Sequence, residues 1–380
     1  MKMQRARSSS NDKFVKILQQ TCYASSATEI ANLFRLIVQT YHTNDGDLSA
    51  DELSELADVI FKTIPTAQKA NMVGVHAVYK LSQGNQTYRC TWRELLAKGS
   101  YNHVYYADLT ILPPAHHQAP TPQPAVVKVT VEVDDFRVYI LENVIHAVLG
   151  ALPVMRDMIV PIRFPFKIPV RGVPPFTLGV VLDNPGCDNL GRFIEDNLRN
   201  DDEMFSMFTN IALMLQKAQN ACRFEHRDMK ADNLMLHRIQ EDQVLLRDSL
   251  YYPTYKRSVL FIDFGMTRFE LDGEYLGCDC MHTDVTFNSS HDFQSLACTL
   301  VEDYAQELQT RSPNFYQYLK TGTDPIFDSL RKMYANYDNL KSSSRHKKLC
   351  LYVAKERNPN FTPHKIIEDM SSYWVKKILI

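Results

Sequence analysis

Two short segments of the chain carry polar residues of the types that hold a metal ion and orient a hydroxyl group. The segment HRDMKADN contains Asp228, Lys230 and Asn233, and the apolar run VLFIDFG includes Asp263. Because Mg²⁺ prefers oxygen ligands, Asn233 and Asp263 are candidate metal ligands. Asp228 is then left to face a substrate hydroxyl, and this division of roles is typical of phosphoryl transfer.

An earlier part of the chain carries residues that suit a phosphate group. LLAKGSYNHVYYADL places Gly99 in a turn between two β-like runs, and AVVKV follows it with Lys128 between Val127 and Val129. A turn between strands covers a phosphate, and a lysine in the next strand supplies a cation. One face of that strand is predicted to be buried, so Lys128 needs an anionic partner.

A helix is predicted to supply that partner. In DDFRVYILENVIHAVLG the apolar residues recur at helical spacing, and Glu142 lies near the apolar stripe. Glu142 could therefore pair with Lys128 and hold it toward a nucleotide. Two alternatives stay open: Glu142 is a solvated helix residue, or Glu132 is the partner, although Glu132 lies close to Lys128 in sequence.

The elements that must position these residues change class along the chain. Residues 1–72 are predicted to form a helical extension, because ATEIANLFRLIVQT and SADELSELADVIFKTI have apolar residues at helical spacing. VHAVYKL and TYRCTW, separated by SQGNQ, then predict a β-hairpin. FTLGVVLD predicts a strand, residues 182–186 a link, and MFSMFTNIALMLQKAQNA a long helix. The sequence thus predicts an α+β protein.

Composition and charge exclude several classes of protein. The chain has 380 residues, 45% of them apolar, with a formal net charge of -2, so nucleic acid is not favoured as a partner. No apolar run is long enough to span a bilayer, and no secretory signal is evident. Eight scattered cysteines do not form a dense disulfide framework. We expect an intracellular protein in the cytoplasm or nucleus, with no membrane partner.

The order of these motifs resembles that of the eukaryotic protein kinase family over roughly residues 90–310. HRDMKADN followed by DFG, after a lysine strand and a helix glutamate, carries the resemblance. It implies two lobes, a small β-rich one at 73–182 and a larger helical one at 183–380. It also implies a protein substrate, ATP and Mg²⁺ as cofactors, and a set of site residues. Asp228 would be the catalytic base and Lys230 would steady the transferred phosphate, while the nucleotide and metal site would comprise Gly99, Val104, Lys128, Glu142, Leu182, Asn233 and Asp263.

Finer details of the sequence indicate a group within that family and also depart from it. Lys230, two residues after the catalytic aspartate, is similar to the serine/threonine kinases, and FNSSHDFQSL resembles the compact kinases of large cytoplasmic DNA viruses. Ala97 and Asn102 stand where the family has the first and third glycines of its phosphate loop. The segment after Gly265 contains no Ala-Pro-Glu. These departures keep a catalytically weak kinase-like scaffold open as an alternative, whereas Lys230 and DFG disfavour a small-molecule kinase.

Three further motifs are interpreted without a functional role. NDGDLSADELSE matches part of a calcium-binding loop, but Tyr41 and Thr43 occupy its first two ligand positions, so we expect no calcium site. CDCMH, residues 278–282, lacks a fourth zinc ligand and the usual spacing. His116 and His117 are predicted to be solvated in a Pro-rich loop. The sequence does not specify the oligomeric state.

Overall fold

The computed structural model of the chain contains two compact units, Met1–Asn184 and Pro185–Ile380. The structure describes residues 68–378, with gaps at 74–75, 84–85, 99–101, 113–120, 131–141, 144, 147–148, 151, 170–175, 185, 187, 248–249, 272–273, 278–286 and 335. Most of the predicted helical extension lies outside these residues, and so do the calcium-like loop, His116, His117 and the CDCMH segment.

The described residues of the first unit include a seven-stranded antiparallel sheet, whose strand order is β1-β2-β3-β4-β5-β7-β6. The strands are β1 (Gln68–Val73), β2 (His76–Gln83), β3 (Gln86–Lys98), β4 (Asn102–Leu112), β5 (Gln123–Thr130), β6 (Ile162–Pro169) and β7 (Phe176–Asp183). Between β5 and β6, the described positions from 142 to 150 are helical. The pairing of β2 with β3 confirms the predicted hairpin.

Alternation of side chains explains how the sheet buries one face. In β5, Ala125, Val127 and Val129 are buried, whereas Val126 and Lys128 are only half-buried. Side chains with a period of two point to the same face of a strand, so the valines of AVVKV divide between the two faces. The buried face packs into a cluster formed by Leu81, Cys90, Ala107, Leu109, Ala125, Val127, Val129, Phe166 and Val181.

The prediction of a helical extension at residues 1–72 is wrong at its C-terminal end. Residues 68–72 belong to β1, which pairs with β2 and has a register shift between Lys69 and Asn71. The apolar residues that precede β1 have helical spacing, but those of QKANMV do not. The backbone N–H and C=O groups of β1 form their hydrogen bonds with β2. The helical interpretation therefore extends too far along the chain.

Seven helices lie among the described residues of the second unit. They are α1 (Leu190–Asp196), α2 (Asp201–Cys222), α3 (His291–Asp303), α4 (Ala305–Arg311), α5 (Pro313–Met333), α6 (Ser342–Lys355) and α7 (Pro363–Ile378). The predicted long helix corresponds to α2. Its N-cap Asn200 accepts a hydrogen bond from the backbone N–H of Glu203, and acidic residues fill the first turn, where the helix dipole favours negative charge.

Helix α2 is a central element of this unit because α7 packs along it. The rings of Phe205 and Tyr373 stack with centroids 4.0 Å apart, and the indole N–H of Trp374 donates to Thr209 Oγ1 at 3.2 Å. Phe208 makes an edge-to-face contact with Phe293 of α3, with ring centroids 5.0 Å apart. Aromatic contacts of this kind add to the stabilisation from buried area. Helices α3 and α7 are thus both fixed to α2.

Short strands of the second unit pair as three two-stranded sheets. β8 (Leu234–Arg238) pairs with β11 (Arg257–Phe261), β9 (Gln243–Arg247) with β10 (Leu250–Pro253), and β12 (Arg268–Leu271) with β13 (Glu274–Gly277), all antiparallel. The β9–β10 pair forms a hairpin within the charged insert between Leu236 and Val259. The α+β class is confirmed. Within the described part of the chain, no helix has both the length and the hydropathy needed to cross a membrane.

Candidate active site

In the first unit, Lys128 forms an ion pair with Glu142. Lys128 Nζ lies 2.5 Å from Glu142 Oε1, and the two side chains are 13% and 8% exposed. Glu142 lies in the helical positions that follow β5, as the apolar stripe predicted, and it is not solvated. Glu132 lies outside the described residues. The pair fixes the ammonium group of Lys128 at the sheet.

Two other predicted residues lie on the same face of the sheet as Lys128. Val104 of β4 is directly opposite Lys128, and Leu182 of β7 is opposite Val126, which is two residues before Lys128. Opposite residues of an antiparallel pair share a face, and residues two apart on one strand do so as well. The register therefore places Val104, Lys128 and Leu182 together, away from the buried cluster. Gly99 lies outside the described residues.

In the second unit, a buried carboxylate fixes the backbone of the segment that contains Asp228. Asp292, in the first turn of α3, accepts hydrogen bonds from the backbone N–H groups of His226 and Arg227, both at 2.8 Å. Burial alone would raise the pKa of Asp292, but the hydrogen bond and charge of His291 outweigh it, so the pKa lies below its ordinary value. An ionised Asp292 holds Arg227 in a left-handed conformation with φ of 65°.

His226 links this segment to the one that contains Asp263. Its Nε2 lies 2.8 Å from the carbonyl oxygen of Ile262, and because a carbonyl only accepts, Nε2 carries the hydrogen. Its ring centroid lies 5.6 Å from that of Phe264, which is fully buried. These contacts give His226 a structural role between the two segments.

The carboxylate of Asp228 collects contacts from its own segment. Oδ2 accepts hydrogen bonds from Lys230 Nζ and from Asn233 Nδ2, each at 2.9 Å. Burial by itself would raise the pKa of Asp228, but the hydrogen bond from His346 and the charge of Lys230 outweigh burial and lower it below its ordinary value. The pKa of Lys230 is raised: burial acts to lower it, and the charge of Asp228 more than compensates. Asp228 is therefore an ionised acceptor.

Antiparallel pairing brings the two predicted metal ligands to the same end of a sheet. Phe261, the last residue of β11, is opposite Leu234, the first residue of β8, so Asn233 and Asp263 both lie just beyond that end. The N–H of Ile262 donates to the carbonyl of Asn233 at 3.1 Å. The charge of Asp263 also contributes to raising the pKa of Lys230. Asp263 therefore shares a site with Asp228 and Lys230.

The oxygen donors at this end of the sheet fit Mg²⁺. Asn233 Nδ2 donates to both Oδ2 and the carbonyl oxygen of Asp228, so the amide nitrogen must face Asp228 and the amide oxygen is left to accept. Together with the Asp263 carboxylate it provides two hard oxygen ligands, and Mg²⁺ commonly completes its octahedron with phosphate oxygens and water. Among the described residues, no three His, Cys, Asp or Glu side chains form a metal-binding group.

One residue of this site was not predicted from the sequence. His346 of α6 lies with Nε2 3.2 Å from Asp228 Oδ1 and 3.5 Å from Cys350 Sγ. The hydrogen bonds to Asp228 and Cys350 raise the pKa of His346 to about 10. It is 118 residues from Asp228 along the chain, in a segment with no motif, so no local signal indicated it.

The segment FNSSHDFQSL connects the Asp228 segment to α6. The N–H of Asn288 donates to Glu225 Oε1 at 3.1 Å, and Asn288 Nδ2 donates to the carbonyl oxygens of Val353 and Glu356, both at 3.2 Å. Asn288 Oδ1 accepts from the hydroxyl of Ser290 at 2.8 Å. Asn288 therefore uses both ends of its amide and its backbone to join three parts of the unit.

Comparison with known proteins gives no family assignment. No protein-family model matches the chain, and no curated protein matches it either.

Proposed function

We propose that the chain is a serine/threonine protein kinase that transfers the γ-phosphate of ATP to a protein hydroxyl. The observation that carries the proposal is the arrangement around Asp228: its carboxylate is held by Lys230 and Asn233 on a backbone that Asp292 fixes. The corresponding fold is the two-lobed kinase fold, with the sheet of the first unit as the small lobe and the helices of the second as the large lobe.

Each predicted residue that the structure describes then has a role that its surroundings support. Lys128, fixed by Glu142, binds the α- and β-phosphates as a point charge, and Val104 and Leu182 offer apolar contact to the nucleotide from the same face of the sheet. Asn233 and Asp263 hold Mg²⁺, which neutralises charge on the phosphates when it is bound.

At the acceptor side, Asp228 orients the hydroxyl and takes its proton. A carboxylate with a lowered pKa is a weak base, so its main contribution is to accept the hydrogen bond that aligns the hydroxyl for attack. Lys230 occupies space beside Asp228, where a tyrosine ring would otherwise lie, and it supplies positive charge for the transferred phosphate. A short aliphatic hydroxyl reaches this position more easily, which favours serine and threonine.

A catalytically weak kinase-like scaffold is the second candidate. The observation that favours it is the composition at the end of β3 and the start of β4. Ala97 is the second-last residue of β3 and Asn102 is the first residue of β4, and these two residues stand where the kinase family has glycines. Side chains at these places restrict how closely the backbone approaches phosphate. A scaffold would bind nucleotide weakly and transfer nothing.

Radiolabelled ATP tests the two candidates directly. The full chain is incubated with Mg²⁺, γ-labelled ATP and a panel of generic acceptor proteins, and the labelled residues are identified by phosphoamino-acid analysis. Phosphoserine or phosphothreonine is the expected product. Predominant phosphotyrosine would contradict the serine/threonine assignment, and an absence of label would favour the scaffold.

Added acceptors are needed because two hydroxyls near the site are poor autophosphorylation targets. Thr267 is fully buried and donates to the carbonyl of His226 at 3.3 Å, and Ser290 is 2% exposed. Ser289 is half-buried and more accessible. A test based on self-labelling alone would therefore underestimate the activity of the chain.

A further inference from the structure

His346 contacts the one carboxylate oxygen of Asp228 that its own segment leaves open. Lys230 and Asn233 both bond to Oδ2, whereas His346 Nε2 lies 3.2 Å from Oδ1. An ionised carboxylate only accepts hydrogen bonds, so Nε2 carries the hydrogen and donates it. The two oxygens of Asp228 are thus held from different elements, Oδ2 by residues of its own segment and Oδ1 by α6.

Contacts on both sides of His346 hold helix α6 in place, so the backbone that carries the His346 side chain has a fixed position. Arg345 forms an ion pair with Glu302 of α3 and donates to the carbonyl oxygens of Asp338 and Leu340 at 3.3 and 3.2 Å. Toward the C-terminal end of α6, the carbonyl oxygen of Val353 accepts from Asn288 at 3.2 Å. The helix therefore delivers His346 to a fixed position.

The contact leaves room for a substrate hydroxyl. A carboxylate has about four lone-pair sites, and side chains of the described residues use two on Oδ2 and one on Oδ1. The Asp228 side chain is 19% exposed and that of His346 is 30% exposed. A hydroxyl that approaches from solvent can thus reach Oδ1 beside the imidazole.

We propose that His346 is a positioning residue for phosphoryl transfer, which holds Oδ1 of Asp228 so that the remaining acceptor site faces the substrate hydroxyl. The inference rests on the proposed kinase function. Without His346, the carboxylate is held at Oδ2 only, and its rotation about the Cβ–Cγ bond is less restricted. Because rates depend steeply on how the reacting groups are aligned, such rotation lowers kcat rather than the affinity for ATP.

The charges around His346 support a persistent contact. The ring faces Asp228 and Cys350. The charge of His346 also acts to lower the pKa of Glu302 and of Asp303, both on α3. Its pKa is raised to about 10, chiefly through the hydrogen bonds to Asp228 and Cys350. His346 is therefore an imidazolium at neutral pH and donates to Asp228 throughout the range in which kinase assays are run.

Two amide variants separate the contact from the presence of a polar side chain. In His346→Gln the amide nitrogen takes the place of Nε2 and can reach Oδ1, whereas in His346→Asn it takes the place of Nδ1 and cannot. We expect His346→Asn to lower kcat by about 10- to 100-fold with an unchanged KM for ATP, in line with the effect of misplacing a reacting group by about 1 Å. His346→Gln should retain kcat to within about threefold. His364→Gln, an exposed histidine of α7, is the matched control and should equal wild type.

Equal kcat in His346→Asn and wild type would overturn the inference. A higher kcat in His346→Asn would also overturn it, because the contact would then block the hydroxyl. Thermal unfolding of both variants identifies a loss that comes from misfolding, since His346→Gln and His346→Asn place similar amides on the same helix.

Nuclear magnetic resonance of histidine labelled with ¹⁵N in the ring gives a readout that does not need activity. The titration midpoint of His346, near 10 in wild type, should fall in Asp228→Asn. An unchanged midpoint would show that the pair does not form and would overturn the inference whatever the activity. A shifted midpoint with no phosphoryl transfer by wild type would overturn the proposed function and, with it, the role of His346 in transfer. Transfer by wild type that His346→Asn leaves intact would overturn only the role of His346.

Discussion

The two charged centres of the molecule are built differently. In the first unit, Lys128 of a strand forms a close ion pair with Glu142 of a helical position. In the second unit, Asp228 is held by two side chains of its own segment and by His346 of α6, while Asp292 fixes the adjacent backbone. An oppositely charged side chain can hold a point charge in place, whereas orienting a particular carboxylate oxygen requires contacts to both oxygens of the carboxylate. The difference agrees with the proposed division between nucleotide binding and hydroxyl alignment.

The largest effect is expected from Asp228→Asn, which keeps the shape of the side chain and removes its charge. General-base and orienting contributions are typically worth about 10²- to 10⁴-fold in rate, so we expect kcat to fall by that factor. Nucleotide affinity should stay within about threefold, because the proposed phosphate contacts come from other residues. Steady-state transfer to an acceptor protein and fluorescence titration with an ATP analogue give the two quantities.

Asp232→Asn is the matched control for that variant. Asp232 is an exposed carboxylate in the same segment, and its Oδ1 accepts from Asn189 at 3.2 Å. The change removes the same charge four residues from Asp228, so its kcat should stay close to wild type. Equal losses in the two variants would show that net charge of the segment, rather than the Asp228 oxygen, controls the rate.

The next effect tests the pair in the first unit. Lys128→Met leaves Glu142 buried without its cation, and breaking a buried pair costs about 3–5 kcal/mol. The double variant Lys128→Met/Glu142→Leu should recover much of this loss, because it removes both charges from a site with 13% and 8% exposure. Urea unfolding of the single and double variants measures the difference. A double variant less stable than Lys128→Met would show that the loss in Lys128→Met does not come from leaving the Glu142 charge buried.

How far the sequence predicted these centres depends on the distance between partners. Asp228, Lys230 and Asn233 lie within six residues, and Glu142 follows Lys128 by 14 residues at the next apolar helical stripe. Local spacing therefore identified them. His346 is 118 residues from Asp228, and its place follows from the packing of α6 against α3, which no local pattern encodes.

The fold shows the same dependence on local pattern. Alternation predicted the β2–β3 hairpin, and helical spacing predicted α2, because each signal lies within one element. The strand β1 was interpreted as helix since its pairing with β2 comes from tertiary structure and not from its own composition. The sequence pattern predicted none of α4 to α7, because the apolar faces of these helices are set by the helices they cover.

A smaller effect is expected from the pH dependence of the Asp228–His346 contact. The pKa of His346 is raised from an ordinary 6.5 to about 10 in the folded chain, chiefly by its hydrogen bond to Asp228. The contact therefore stabilises the fold fully below pH 6.5, and this stabilisation is lost as pH rises from 6.5 through 10. Asp228 has a lowered pKa and stays ionised over that window. Exposure of 30% of the His346 side chain screens the contact and limits the change.

Urea midpoints of wild type and His346→Asn at pH 6 and at pH 9.5 measure this contribution. The gap between the two proteins should narrow at the higher pH, since the variant has no imidazolium to lose. Other groups titrate in the same range in both proteins and cancel in the comparison. A gap that stays constant would show that the contact does not depend on the charge of His346.

The smallest effect is expected where a lysine of the second unit forms an exposed pair. Lys256 Nζ lies 3.6 Å from Asp242 Oδ1, with side chains 66% and 72% exposed. Water screens such pairs, and they contribute about 0–1 kcal/mol, so Lys256→Met should lower the free energy of unfolding by less than about 1 kcal/mol. The substitution is the same as Lys128→Met. The backbone at Lys256 has a φ of 57°, and because lysine and methionine both carry a Cβ atom, the substitution does not change the backbone strain there. Urea unfolding of the two methionine variants side by side therefore isolates burial as the variable. A loss at Lys256 as large as that at Lys128 would mean that burial does not distinguish the two pairs, and the contrast between a buried ion pair and an exposed one would no longer hold.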